Sequence, residues 1–295
     1  KVVAHIPDGQ NQALVCDAVT NAAVDFIKRN HEKPFFAYIP HSAVHHPRFA
    51  LKERVEKAEG SVTRAQIEEV DASVGKVIST LKELGIEKNT LVFFTSDNGG
   101  ARGTSMGPLR GAKGGPKYEG HMRVPTVAWW PGRIPAGSVT NEIGATIDIL
   151  PTIAKLTGSK VPTDRVIDGK DISPLLLAEA GAKSPHEVHY YEIDGVRRGS
   201  WKLVKLKNKF ELYNLSDDLG EQNDLSGTNL EKLVELKGLL EAHTKSLQSG
   251  LREAAFVNDP NPLETTGTKT LAEYMGIKNL EVLPMNGQTI KAKKK

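Results

Sequence analysis

Cysteine is almost absent: Cys16 is the only one in 295 residues, which excludes an intramolecular disulfide and any cysteine-built metal cluster. Thiol usage therefore says nothing about compartment. Long apolar runs are missing too. No segment has the length needed to span a bilayer as a helix, and Lys1-Val2-Val3-Ala4-His5 lacks the apolar core of a signal peptide. No Met stands at position 1, and the sequence reads as beginning inside a longer protein, with any targeting signal upstream. Charge of one sign is also scarce. Lys plus Arg total 39 against 36 Asp plus Glu, a formal charge of +3, and this balance gives no general reason to expect nucleic acid or an anionic membrane as partner. The basic residues are dispersed apart from Lys291, Lys293, Lys294 and Lys295, which read as a solvated end.

What is present is an ordinary globular composition, 39% hydrophobic and 25% charged, long enough for one large or two smaller domains. Leu14, Val15, Ala18, Val19, Ala22, Ala23, Phe26 and Ile27 recur at helical spacing. Pro34 to Ile39 reads as a short buried strand. A second helix is expected from Thr63, with Gln66 completing a capping box, to Gly85. Strands are expected at Leu91–Thr95 and Val124–Trp130, and a helix at Ile147–Leu156 with Pro151 near its first turn. This alternation predicts an α/β sheet flanked by helices, with functional residues on loops past the strand ends. After Pro185, strand candidates at Val188–Glu192, Val196–Val204 and Phe210–Leu215 precede a helix over Asn229–Leu247, which reads as a small antiparallel sheet with one packed helix. The expected division is thus residues 1–185, 186–250 and an irregular extension, 251–295.

Three polar clusters follow predicted strands. In His41-Ser42-Ala43-Val44-His45-His46-Pro47 the imidazoles suit metal binding, anion binding or acid–base chemistry, and equally suit a surface loop. Asp97 and Asn98, in Thr95-Ser96-Asp97-Asn98-Gly99-Gly100, are adjacent hard oxygen donors suited to Ca²⁺ or Mg²⁺. Asp-Asn-Gly is also ordinary turn chemistry, with Gly supplying a positive φ. Leu109-Arg110-Gly111-Ala112-Lys113-Gly114-Gly115-Pro116-Lys117-Tyr118-Glu119-Gly120-His121-Met122-Arg123-Val124-Pro125 sets glycines around Lys113, so an anion can approach the backbone beside a compact positive charge. The alternative is a flexible basic loop. It is not a phosphate-binding P-loop, because the required Gly spacing and a following Ser or Thr are absent.

Taken in order, these segments resemble the sulfatase family over about residues 14–247. The resemblance is carried by Pro34-Phe35-Phe36, His45-x-Pro47, Asp97-Asn98-Gly99, Leu109-Arg110-Gly111-x-Lys113-Gly114, Tyr118-Glu119-Gly120 and Arg123-Val124-Pro125. Further on it rests on Asp148-x-x-Pro151-Thr152, Gly199-x-Trp201-Lys202-Leu203 and Glu211-Leu212-Tyr213-Asn214-Leu215 with Glu221-Gln222-Asn223-Asp224-Leu225. It implies an alkaline phosphatase-like sheet, present in part, and a metal-dependent hydrolase of aryl or carbohydrate sulfate esters. By that resemblance Asp97 and Asn98 are ligands of a divalent cation, usually Ca²⁺. Lys113 contacts the sulfate, and His45 hydrogen-bonds it or assists the leaving oxygen. It also implies a periplasmic or secreted protein.

Two departures stand out. One residue more than the family pattern lies between Lys113 and Tyr118, and His121 stands where a Gly is common, which bears on Lys117 and on the pocket rim. The family's Cys/Ser-x-Pro-x-Arg motif, whose first residue becomes the formylglycine nucleophile, has no match, since Cys16 is followed by Asp17-Ala18-Val19-Thr20. Nor has its N-terminal Asp pair. The reading is of the C-terminal part of a sulfatase, inactive alone. The alternatives are a phosphodiesterase or phosphonate hydrolase of the same superfamily and a non-catalytic module that binds sulfated glycans.

Overall fold

The computed structural model describes residues 4–101, 104–249 and 267–284. These form two compact units, one built from residues up to Thr90 together with 267–284, the other from Leu91 onward to 249.

The first unit begins with β1 (Ala4–His5), α1 (Gly9–Gln12) and α2 (Val15–Asn30). Helix α2 buries Cys16, Thr20, Val24 and Ile27, one stripe at helical spacing. After β2 (Phe49–Leu51) and α3 (Lys52–Lys57) comes α4 (Val62–Glu83), which packs on α2. Ala50, Val55, Ala58, Val62 and Ala65 form the local core. The cap of α4 is Ser61, which accepts from the Arg64 amide at 3.2 Å. The expected Thr63–Gln66 capping box does not form, because both side chains serve tertiary contacts: Thr63 Oγ1 accepts from Arg48 Nη1 at 2.9 Å and Gln66 Nε2 donates to the Phe49 carbonyl at 3.1 Å.

Residues 34–39, expected as a buried strand, carry no regular secondary structure. An extended segment becomes a strand only when a neighbour completes its ladder, and none among the described residues does so. Its alternation survives: Phe35 lies edge-on against Phe26 at 6.1 Å, while Phe36 and Tyr38 stay 68% and 80% exposed.

The second unit opens with β3 (Val92–Thr95), whose antiparallel partner is reached only after α5 (Glu119–Met122), at β4 (Thr126–Trp129). The candidate loops lie in this connection. Helix α6 (Ile149–Thr157) carries Pro151 in its first turn, as expected, and ends on Gly158 in the left-handed region, φ +71°. After α7 (Ser173–Leu176) come β5 (Val188–Tyr190), β6 (Gly195–Arg198), β7 (Trp201–Lys205) and β8 (Phe210–Asn214), an antiparallel sheet in sequential order. Residues 196–204, read as a single strand, are a hairpin that turns at Gly199, φ +60°. Helix α8 (Leu230–Ser249) covers one sheet face, where Leu236 and Leu240 meet Val196, Leu203 and Leu212.

From residue 251 onward an irregular extension was expected, and its described part is ordered into short elements. β9 (Lys269–Thr270) lies parallel to β1, α9 (Leu271–Tyr274) follows, and β10 (Val282–Pro284) pairs antiparallel with β2. Strands of two or three residues are too short to show a period. Thr270 and Glu273 do form a reciprocal capping box. The lysine tail lies outside the described residues.

Candidate functional site

Past the end of β3 the chain turns sharply. Ser96 Oγ donates to the Asn98 carbonyl at 2.9 Å, and the Gly99 amide donates to the His121 carbonyl at 2.9 Å. Neither Gly99 nor Gly100 takes a positive φ, so left-handed turn geometry does not explain them. Close approach does. A Cβ on Gly99 would stand 2.0 Å from the Gly120 carbonyl oxygen, and one on Gly120 would stand 2.5 Å from that of Arg110.

The second strap of the site runs through residues 110–121. The Lys113 amide donates to the Gly100 carbonyl at 2.9 Å, and the Gly120 amide to that of Arg110 at 2.7 Å. Positive φ is required here, at Gly111 (+87°) and Gly114 (+79°), on either side of Lys113. The main chain thus ties the Lys113 loop to the Asp97–Asn98 turn. Asp97 is exposed, and Asn98 and Lys113 are half-buried. Among the described residues none of the three side chains has a hydrogen bond or ion pair, and Asn98 is held only through its main chain.

His45 belongs to the other unit. It is exposed, with Nδ1 2.7 Å from the His46 carbonyl. His41, from the same cluster, is structural: its Nδ1 is 3.6 Å from Cys16 Sγ and its Nε2 3.1 Å from Ser73 Oγ. Burial holds the His41 imidazole below its ordinary pKa. Cys16 is buried in the α2–α4 packing, which agrees with its reading as a packing thiol.

Below the Lys113 loop lies a buried polar network that the sequence reading did not assign. Arg110 Nη1 donates to Tyr213 Oη at 2.9 Å and to the Glu221 carbonyl at 2.6 Å, and its guanidinium lies 4.0 Å over the Tyr118 ring. The Tyr118 and Tyr213 hydroxyls both donate to Glu211 Oε2, at 2.5 and 2.7 Å. Lys202, wholly buried, donates to Glu119 at 2.7 Å and pairs with Glu221 at 3.0 Å. Glu221 Oε2 also accepts from the Glu119 amide at 2.6 Å. Burial pushes both carboxyls up. For Glu119 the attraction of Lys202 and then Arg197 outweighs it and the net shift is downward, whereas Glu221 stays raised. Sheet register explains the layout: Leu203 and Leu212 face α8, while Lys202, Val204, Glu211 and Tyr213 alternate to the opposite face and meet Tyr118 and Glu119. Alternation alone reads Lys202 as solvent-facing. Its signal in the sequence is a carboxylate in each of the segments Tyr118-Glu119-Gly120 and Glu221-Gln222-Asn223-Asp224-Leu225.

Asp148 is likewise structural. Wholly buried, it contacts His186 Nε2 at 2.8 and 2.9 Å and accepts from the amides of Ala145 and Lys170, both at 2.8 Å.

For a divalent cation, the donors at the site are two hard side-chain oxygens on adjacent residues, without partners among the described residues, which suits Ca²⁺ or Mg²⁺. They make two ligands of the six or so such an ion takes. Among the described residues no group of three or more His, Cys, Asp or Glu converges on one point. Lys117 pairs with Glu192 at 3.0 Å, and His121 Nδ1 lies 2.9 Å from the Gly115 carbonyl.

The family profile described as Sulfatase matches residues 9–159, and that described as N-sulphoglucosamine sulphohydrolase, C-terminal, matches residues 116–248. N-acetylgalactosamine-6-sulfatase of Mus musculus is 36% identical over 230 residues, 73% of this chain and 44% of that protein. The chain therefore spans less than half of that relative. The crystal structure of PsFucS1 sulfatase from Pseudoalteromonas sp. superposes with a TM-score of 0.77 at 25% identity, over 86% of this chain and 57% of that one. That of Ps i-CgsB in complex with k-i-k-neocarrahexaose does so with 0.70 at 29%, over 78% and 54%. With its first 150 or so matched residues covering the Asp97–Asn98 turn and the Lys113 loop alike, the chain belongs to the sulfatase family.

Proposed function

We propose that this chain supplies the sulfate-binding loop and two metal ligands of a sulfuric-ester hydrolase acting on a carbohydrate sulfate. The main-chain bonding of Lys113 to Gly100 and of Gly99 to His121 supports this reading, because it ties into one loop cluster a lysine and two oxygen donors whose side chains have no partner among the described residues. Lys113 would bind and orient the sulfate. Its ammonium offsets both the standing charge of the sulfuryl group and the charge that develops as the ester oxygen leaves. Asp97 and Asn98 would hold a divalent cation, which contributes Lewis-acid stabilisation of the same oxygens. For His45 the resemblance alone assigns the hydrogen bond to the sulfate. The formylglycine nucleophile and the remaining metal ligands are assigned to sequence outside this chain. A carbohydrate ester is favoured by the relatives, one described as an N-acetylgalactosamine-6-sulfatase and one solved with a neocarrahexaose.

The test is turnover of an aryl sulfate and of a sulfated monosaccharide by the full-length protein with Ca²⁺, beside Lys113→Ala. The variant is expected to lose about 10²–10³-fold in kcat. Undiminished turnover would remove Lys113 from the site. Binding of the sugar without hydrolysis by the native protein would establish a glycan-binding module instead.

A further inference from the structure

The extra residue between Lys113 and Tyr118 has a structural consequence. The His121 imidazole holds the Gly115 carbonyl at 2.9 Å, while its own carbonyl accepts from Gly99. The inserted stretch is therefore fixed to the same turn that carries Asp97 and Asn98. It walls a cavity of about 320 Å³, lined by Gly115, Pro116 and Lys117, by Asp194 between β5 and β6, and by Lys205 at the end of β7 and Lys207 just after it. A second hollow of about 270 Å³ shares Lys205 and adds Phe210, Leu240, Lys237 and Lys245 toward α8.

The charges facing these hollows are five ammonium groups against Asp194, Glu241 and the Glu192 that pairs with Lys117. Lys205 and Lys207 are exposed, and among the described residues neither side chain has an ion pair or hydrogen bond. Between the lysines lie partly exposed apolar side chains, Leu206 in one hollow and Phe210 in the other. Hollows that set single apolar side chains between separated cations match a pyranose chain that carries an acidic group on successive sugars, since the ring faces are apolar and the substituents anionic. We infer that the Lys117–Lys205–Lys207 cavity is a second anion subsite, which takes the neighbouring sulfate or carboxylate of a polyanionic oligosaccharide whose scissile sulfate lies at Lys113. The inference rests on the reading of Lys113 given above.

Calorimetric titration of the full-length protein with a monosulfated monosaccharide and with a disulfated disaccharide separates the two ideas. The Lys205→Gln/Lys207→Gln pair is expected to weaken the disaccharide about tenfold and leave the monosaccharide unchanged. Lys205→Arg/Lys207→Arg, which keeps the charge, should restore most of the affinity, and the native advantage of the disaccharide should shrink as salt is raised. An unchanged disaccharide affinity in the Gln pair, or an equal loss on both sugars, overturns the subsite. Lys113→Ala tests the other reading: if it leaves the monosaccharide affinity intact, the sulfate position at Lys113 fails, while the Gln pair still decides the lysine cavity by its effect on the disaccharide.

Discussion

At the scale of single residues, the type of a side chain was more legible than its job. Asp97, Asn98 and Lys113 stand on the loops that the sequence indicated, with their polar ends unengaged among the described residues. Gly99 was read for its φ and is needed for its missing Cβ, a distinction that requires knowing that Gly120 passes 2.0 Å from where that atom would sit. Gly99→Ala should cost about 1–3 kcal/mol in a denaturant melt, and the displaced turn should weaken the Ca²⁺ binding proposed for Asp97 and Asn98. A stable variant with unchanged Ca²⁺ affinity would mean that this contact does not position Asp97. Cys16 makes a second prediction. Burial, then the charges of Glu69 and Asp17, push its thiol up to about 11, so at pH 8 an aromatic disulfide reagent should label it only after unfolding. Rapid labelling of the native protein would contradict this assignment.

At the scale of elements, helices with long apolar stripes were read almost to their ends, and the β5–β8 sheet was found as a group. Caps and hairpin turns were not, because Thr63, Gln66 and Gly199 are locally compatible with two roles and only tertiary partners choose between them. The same applies to Lys202. A lysine in a strand reads as outward-facing, yet it is the cation of a buried cluster that joins the sheet to the Lys113 loop. Lys202→Met should destabilise by about 3–5 kcal/mol, since it leaves Glu221 buried without its cation and Glu119 with only the more distant Arg197, at 3.7 Å. Adding Glu119→Gln and Glu221→Gln to that variant should recover part of the loss. Glu211 gives the pH signature of this junction. Burial would raise its carboxyl, but the Lys209 ammonium and the hydroxyls of Tyr118 and Tyr213 outweigh it and bring it from 4.5 to about 2. A lowered carboxylate pKa stabilises the folded state above the ordinary value, and that stabilisation disappears as pH falls through the window from 4.5 to about 2. The melting temperature of Glu211→Gln should accordingly fall less steeply across this window than that of the native chain. Parallel curves would show that Glu211 does not govern it.

At the scale of the whole molecule, the strand expected at residues 34–39 is the informative failure. Its composition and alternation are those of a strand, but strand identity belongs to a sheet rather than to a segment, and no described neighbour pairs with it. In the other unit β3 and β4 form a ribbon of two strands, marginal in water without further cover. Its register pairs Phe94 with Val127, which is 61% exposed. Each unit thus presents exposed apolar side chains on backbone that meets no further described strand, residues 34–39 in one and the β3–β4 ribbon in the other, the arrangement that recruits another chain. The chain expressed alone should therefore dimerise or aggregate at micromolar concentration, and the association should persist at modest salt because it is apolar. Replacing Phe36, Tyr38 and Val127 by Thr or Lys should raise the monomer fraction in sedimentation velocity without lowering the melting temperature, since none of these side chains is part of a buried core. If the unaltered chain sediments as a monomer and melts cooperatively, these surfaces are tolerated by water, and the extended 34–39 segment is the native end state of this chain.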